Sequence, residues 1–295
     1  MDNINLRFVG LSKNCFSSLE KNITFIEKFK KYSKFKIKII IIDSDSTDGT
    51  KEYCRNLLKD KTITSFLEID NLEDDYNSRI ERLSYCRNAG LKEIKNAYKD
   101  RILYIPMDMD LDLFESLNCS ELEELISFFI EQKEIDCILP FSTPYYYDIF
   151  ALRKKGWVNG NALYKAFKLK KKFFLGSFLY NYFYIFRKQI SPKKFNSDLI
   201  PVESGFGGMG IYKIDSINLL NNTYDIDQSN VDFVTEHLAF NKNFSNINIL
   251  KNWNIKAPNE HTKYVTSTPT EKFIYILKTI KYDLIGLFNF LKNKR

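Results

Sequence analysis

Paired cysteines are missing. The five present (Cys15, Cys54, Cys86, Cys119 and Cys137) are widely spaced and odd in number. That excludes a thiolate metal cluster and suits reduced thiols packed as small core hydrophobes. Histidine is nearly missing too, with only His237 and His261, and a lone histidine is more often structural than ligating. No stretch reaches the roughly 18 uninterrupted apolar residues of a membrane span, so any membrane contact is expected to be peripheral. The opening Met1-Asp-Asn-Ile-Asn-Leu-Arg7 lacks the basic region and apolar core of a secretory signal, and the expectation is a cytoplasmic protein. Internal repeats and low-complexity linkers are absent as well.

What is present is ordinary for a soluble globular chain: 295 residues, 44% apolar and 27% charged. That length accommodates one large domain or two small ones. Lysine and arginine exceed aspartate and glutamate by 44 to 37, giving a net charge of +7. The excess favours anionic partners such as phosphates or an acidic lipid surface, and it does not imply nucleic acid.

Apolar runs and apolar periodicity alternate along the first half. Residues 4–11 read as a strand, and Phe16, Leu19, Ile23 and Ile26 follow at helical spacing. The β-branched run Ile37 to Ile42 reads as a strand covered on both faces. It empties into Asp43-Ser-Asp-Ser-Thr-Asp-Gly-Thr50, which has the chemistry of a turn and a helix cap. Residues 64–69 give a third strand, and Ile80, Leu83, Leu91, Ile94 and Tyr98 mark a long helix. Ser120-Glu-Leu-Glu123 has the spacing of a capping box before another helix, and Cys137 to Phe141 reads as a further strand. Strands alternating with helices predict a mainly parallel sheet of Rossmann-like type.

One strand carries the chemistry. Ile102, Leu103, Tyr104 and Ile105 are followed by Asp108, Asp110 and Asp112 at alternate positions. Ligands of open α/β sheets bind beyond the carboxyl ends of the strands, where neighbouring carboxylates can share one hard divalent cation with a diphosphate. A solvated acidic turn would show the same short pattern.

The strand running into Asp43-Ser-Asp45, the later Arg87-Asn-Ala-Gly-Leu91 and the strand ending in Asp108-Met-Asp110 together resemble a GT-A glycosyltransferase over about the first 115 residues. The resemblance implies that Asp43 and Asp45 hold the nucleoside and that Arg87 and Asn88 lie beside the nucleotide. It also implies that Asp108 and Asp110 hold Mn2+ or Mg2+ on the diphosphate, with Asp112 as the alternative register. Tyr147, Asp148 and Arg153, in a Tyr-Asp-X-X-Ala-Leu-Arg segment similar to one bordering some GT-A active sites, become candidate donor-site residues. A packed aromatic strand edge is the competing account.

Gly205-Phe-Gly-Gly-Met-Gly210 matches the literal dinucleotide pattern but does not open a helix, so a dinucleotide site is rejected. Gly207 and Gly208 are better used where backbone approaches a sugar. Glu236, in Thr235-Glu-His237, is similar to the acceptor-side carboxylate of GT-A enzymes and becomes the candidate general base if the reaction inverts. His261 is implied to complete the metal shell, with His237 as alternative. The basic and aromatic stretch 165–187 reads as an acceptor-side lid, a membrane-facing helix or buried core. Phe273, Ile276, Ile280, Leu284, Leu287 and Leu291 recur at helical steps among lysines, describing a basic amphipathic helix suited to an anionic membrane or to packing.

The expected organisation is a GT-A type α/β catalytic domain over 1–265 and a C-terminal helix over 266–295. Within the domain, 1–118 forms the nucleotide half and 119–265 the acceptor half. The expected activity is sugar transfer from a UDP- or GDP-sugar to a hydroxyl of a surface polysaccharide or lipid-linked glycan. A sugar nucleotidyltransferase and an inactive glycan-binding module are the alternatives.

Overall fold

The strand Lys36–Ser44 (β2) buries Ile39, Ile40, Ile41 and Ile42, and its neighbours follow from that double burial. In a computed structural model describing residues 4–95, 101–160, 176–214, 222–226 and 235–292, β2 pairs in parallel with Ile4–Ser12 (β1) and Ser65–Ile69 (β3). On its other edge β1 pairs in parallel with Arg101–Asp108 (β4). Ile211–Ile214 (β7) then lies antiparallel between β4 and Cys137–Thr143 (β5). Ile247–Lys256 (β8) runs parallel to β5, and Leu199–Val202 (β6) closes the edge antiparallel to β8. The order is β3-β2-β1-β4-β7-β5-β8-β6. The expected mainly parallel sheet is thus found, with β1 to β5 and β8 running one way and β7 and β6 the other.

Helices cover both faces because successive strand residues point oppositely. Leu6, Phe8, Ile39, Ile41, Leu103 and Ile105 meet Phe16–Tyr32 (α1), Thr50–Lys59 (α2) and Cys119–Glu131 (α5). Val9, Leu11, Ile40, Ile42, Ile102 and Tyr104 turn instead toward Arg79–Lys95 (α4), which follows the short helix Leu72–Asp75 (α3). Each fully buried isoleucine of β2 contributes roughly 1.5–3 kcal/mol of transfer free energy. All five cysteines are buried and unpaired, and burial pushes the thiols of Cys15 and Cys54 up to about 12.

The capping box of α5 sits two residues earlier than the sequence spacing predicts. Asn118 Oδ1 accepts from the Glu121 N–H at 3.0 Å, and Glu121 Oε2 accepts from the Asn118 N–H at 2.8 Å. Ser120 donates its hydroxyl to Glu124 instead. Asn118 with Glu121 and Ser120 with Glu123 both have the required three-residue spacing, and only the former pair has non-helical backbone at its first residue.

Of the aromatic stretch, Gly176–Tyr180 (α6) is helical and runs into a π turn at Asn181–Ile185. The basic residues Lys165, Lys168, Lys170, Lys171 and Lys172 lie outside the described residues. Three helices complete the chain: Glu236–Asn241 (α7), Asn259–Thr266 (α8) and Pro269–Lys292 (α9). The last packs on α6 and α8. No helix among the described residues is long and apolar enough to cross a membrane. The exposed face of α9 is rotated from the expected stripe. Phe273, Ile274, Leu277, Leu284 and Ile285 face solvent, while Ile276 and Ile280 are half-buried; the side chains of Leu287 and Leu291 lie outside the described residues.

Candidate active site

The register of the parallel strands builds the site. Ser12 at the end of β1 pairs with Asp43 on β2, and Leu11 pairs with Asp108 on β4. Two strand spacings, about 10 Å, therefore separate the Asp43 turn from Asp108 along one carboxyl edge. The Asp108 N–H donates to the Gly208 carbonyl at 2.8 Å, and the next N–H, of Met109, to the Leu11 carbonyl at 2.9 Å. Met107 and Met109 are buried, so the alternation turns Asp108 and Asp110 outward together. Desolvation in this recess, followed by repulsion from Asp108, raises the pKa of Asp110. Asp112 is engaged elsewhere, ion-paired with Lys21 of α1 at 2.9 Å.

Arg87, on α4, is 1% exposed and ties the floor of the site together. Its guanidinium bonds Asp108 and lies with Nε 3.5 Å from Glu236 Oε1. It also sits 4.7 Å from the ring centre of Phe206 and 5.9 Å from that of Tyr224. Burial works against its charge, but Asp108, Tyr224 and Glu236 outweigh that and raise its pKa. Glu236 opens α7 and is itself buried; desolvation raises its pKa, Arg87 opposes the rise, and Asp108 and Asp148 add to it. His237 stacks on Phe206 with ring centres 3.6 Å apart. Desolvation and then Arg87 hold its pKa well below the ordinary range, so it is neutral.

The glycine turn is held by the Tyr147-Asp148 segment. Asp148 Oδ2 accepts from the Gly207 N–H at 2.9 Å and Oδ1 from the Ala151 N–H at 3.3 Å. Desolvation raises the Asp148 pKa against those two bonds. Gly208 has φ +97°, and a Cβ there would collide with Leu111 and crowd the Tyr147 hydroxyl. Burial, then the charges of Asp148, Asp108 and Asp110, hold the Tyr147 phenol well above its ordinary pKa. His261, on α8, stacks on Tyr147 with ring centres 5.6 Å apart and planes at 7°. Tyr147 thus lies within the charge field of Asp108 and Asp110 on one side and against the His261 ring on the other. Among the described residues, no three of His, Cys, Asp and Glu converge closely enough to hold a metal by themselves.

Other candidates are committed to the scaffold. Asp43 is fully buried and accepts from the hydroxyls of Ser12 and Ser46 at 2.8 and 2.6 Å. Asp45 adopts φ +58° and accepts from the Asn71 N–H at 2.6 Å, leaving Oδ2 buried without a partner. Asn88 points away from the carboxylates, donating to Asp225 at 2.8 Å and accepting from the Tyr224 N–H at 2.8 Å. Arg153 donates to the carbonyls of Phe150 and Leu152 at 2.9 and 2.7 Å. Phe206 and Tyr224 escaped sequence reasoning, whereas the cap expected in the turn over 43–50 is supplied by Asp48. Phe206 and Tyr224 enclose Arg87, and Asp48 caps α2 through the Thr50 N–H and hydroxyl while accepting from the Phe16 N–H. For those two rings, only the glycines flanking Phe206 offered a signal.

The family described as Cryptococcal mannosyltransferase 1 matches residues 17–249. Among solved structures, the chain is similar to residues 1–349 of S. aureus TarS in complex with UDP-GlcNAc, at 13% identity, TM-score 0.45, covering 95% of this chain and 66% of that one. It is similar to a mannosyl-3-phosphoglycerate synthase from Rubrobacter xylanophilus at 11% identity, TM-score 0.40, covering 98% and 75%. A third likeness is to the mannosyltransferase PcManGT from Pyrobaculum calidifontis, in complex with GDP-Man and Mn2+, at 14% identity, TM-score 0.34, covering 48% and 36%. The chain spans just under two thirds of the TarS chain, and no curated protein matches it.

Proposed function

The chain belongs to the Cryptococcal mannosyltransferase 1 family, and from that premise we propose that it transfers a sugar from a nucleotide-diphosphate sugar to an acceptor hydroxyl. The observation that carries this reading is the carboxyl edge of β2, β1 and β4. There the Asp43-Ser-Asp45 turn and the outward pair Asp108 and Asp110 stand about 10 Å apart, the span between a nucleoside and its diphosphate. Asp45 Oδ2, buried without a partner, is the group a base or ribose would satisfy. Residues 1–118 take the donor and 119–265 the acceptor. Titration with GDP-mannose and UDP-sugars, followed by release of free nucleoside diphosphate, tests it. No binding of either donor class would overturn it.

A divalent cation, Mn2+ or Mg2+, fits the residues present. Such ions use one or two carboxylates and complete their shell with phosphate oxygens and water, so they do not require three protein ligands converging among the described residues. Desolvation and then repulsion from Asp108 raise the Asp110 pKa, and a cation would relieve both. Asp108 and Asp110 would hold it, with His261 at the rim behind Tyr147. The ion would supply Lewis-acid stabilisation of the leaving diphosphate. Arg87 fixes Asp108 from below, and Asp148 fixes the Gly207-Gly208 turn that backs it. Glu236 supplies the base for the acceptor proton in an inverting transfer, and its raised pKa suits that work.

The acceptor is a surface polysaccharide or lipid-linked glycan, and the enzyme works at the cytoplasmic side of a membrane. The five buried free thiols fit a reducing compartment. The solvent-facing apolar stripe of α9 lies beside the exposed Lys278 and Lys281, the pattern of a helix lying in an anionic interface.

A further inference from the structure

A groove of about 320 Å3 is lined by Tyr145, Tyr182, Phe186, Arg187, Tyr264 and Lys272. Two of its lining residues, Tyr145 and Tyr264, come from the segments that carry Tyr147 and His261. Tyr145 lies two residues from Tyr147, a reach of at most about 7 Å, and Tyr264 lies about one helical turn from His261 on α8, roughly 5 Å along the axis. Tyr147 and His261 stack on each other, so the two segments that line the groove are the ones that meet at that stack.

Its chemistry is specific. Phe186 and Tyr264 stack with ring centres 4.1 Å apart, and Tyr182 and Tyr275 meet Tyr264 edge-on at 6.4 and 5.2 Å. The result is a rigid aromatic bank carrying phenol hydroxyls, suited to the apolar face and hydroxyl rim of a sugar ring. Arg187 and Lys272 add two cations, and the lining residues include no carboxylate. Among the described residues neither cation has an ion pair. Arg187 lies over the Phe183 ring at 5.7 Å, and its planar fork fits a carboxylate or phosphate.

We propose that this groove is the acceptor subsite and that its acceptor bears an anionic group, carboxylate or phosphate, on a sugar next to the accepting hydroxyl. The proposal rests on the sugar-transfer reading and narrows it from any glycan to an acidic one. The aromatic bank orients the ring, and the two cations select the charge.

Saturation-transfer NMR titration of the whole chain with methyl β-D-glucuronide, glucose 6-phosphate and methyl β-D-glucoside tests it. At least one anionic probe should bind about tenfold more tightly than the neutral glycoside, the size expected of two partly exposed charge contacts. Arg187→Gln combined with Lys272→Gln should bring that probe down to the neutral level while leaving donor hydrolysis unchanged. Equal binding of all three probes, or full anionic binding by the double variant, would overturn the proposal. Whether the carboxylate or the phosphate probe binds more tightly identifies the anion. Donor hydrolysis by the unaltered chain is measured alongside, and its absence would instead remove the transfer reading beneath.

Discussion

Asp108 and Asp110 differ in their surroundings, and their substitutions should differ accordingly. Asp108 is already compensated by Arg87, whereas Asp110 carries the desolvation and the repulsion. Asp110→Asn should abolish Mn2+-dependent donor binding, with Asp108→Asn nearly as harmful and Asp112→Asn mild, because Asp112 is held by Lys21. Calorimetry with GDP- and UDP-sugars, with and without Mn2+, checks the ranking. Unchanged metal dependence in both of the first two variants would remove the metal assignment. As the base proposed above, Glu236 would act in its ionised form, and its pKa is raised. Turnover should therefore fall as pH drops through that raised value, placing the acid limb above the ordinary carboxylate range near 4.3. Glu236→Gln should retain donor affinity, lower turnover by about two orders of magnitude and erase that limb. A pH profile unchanged by the substitution would show that Glu236 only holds Arg87. At this scale the sequence displayed the acids but not their partners. Nothing local in Arg87-Asn88 tells which of two adjacent side chains turns inward, because that depends on where α4 lies on the sheet. Nor does Asp43 announce that Ser12, thirty-one residues away, will share its carboxylate.

The elements were far more legible, since strands buried on both faces and amphipathic helices write their period directly into the chain. The run Ile37 to Ile42 fell inside β2, and Phe16 to Ile26 inside α1. The displaced start of α5 shows where this reading fails. A capping box is a spacing rule that two overlapping quartets satisfied, and the choice was made by the backbone at Asn118, extended at φ −104° and ψ 173°. Asn118→Ala should consequently cost about 1 kcal/mol of stability. Ser120→Ala, removing only an exposed contact to Glu124, should cost far less. Denaturant melts of the two variants side by side decide between the caps. The antiparallel β7 was equally hidden as a pairing: Ile211 to Ile214 reads as extended, but strand direction is set by the long connection before it.

For the whole molecule, α9 separates two behaviours. Its exposed Phe273, Ile274, Leu277, Leu284 and Ile285 would enter an interface, and each nearby lysine would add roughly 1 kcal/mol of attraction to an anionic surface. Binding to phosphatidylserine vesicles should thus weaken steeply between low and high salt, while donor hydrolysis stays level. Removing residues 269–295 should abolish vesicle binding and spare donor hydrolysis. Equal vesicle binding with and without the segment would refute peripheral attachment. Loss of solubility on truncation would show instead that the contacts of α9 with α6 and α8 are structural.

The insertion of β7 between β4 and β5 also sets a timetable. β4 ends at Asp108 and its outer neighbour begins at Ile211, so about a hundred residues must leave the ribosome before that edge is covered. At about 5–20 residues per second the wait is roughly 5–20 s. Throughout it, the strand that ends at Asp108 offers an open row of backbone donors and acceptors to any other nascent chain. The Asp-rich end of β4 thus carries a second burden, as charge that discourages such pairing until the later half of the polypeptide arrives.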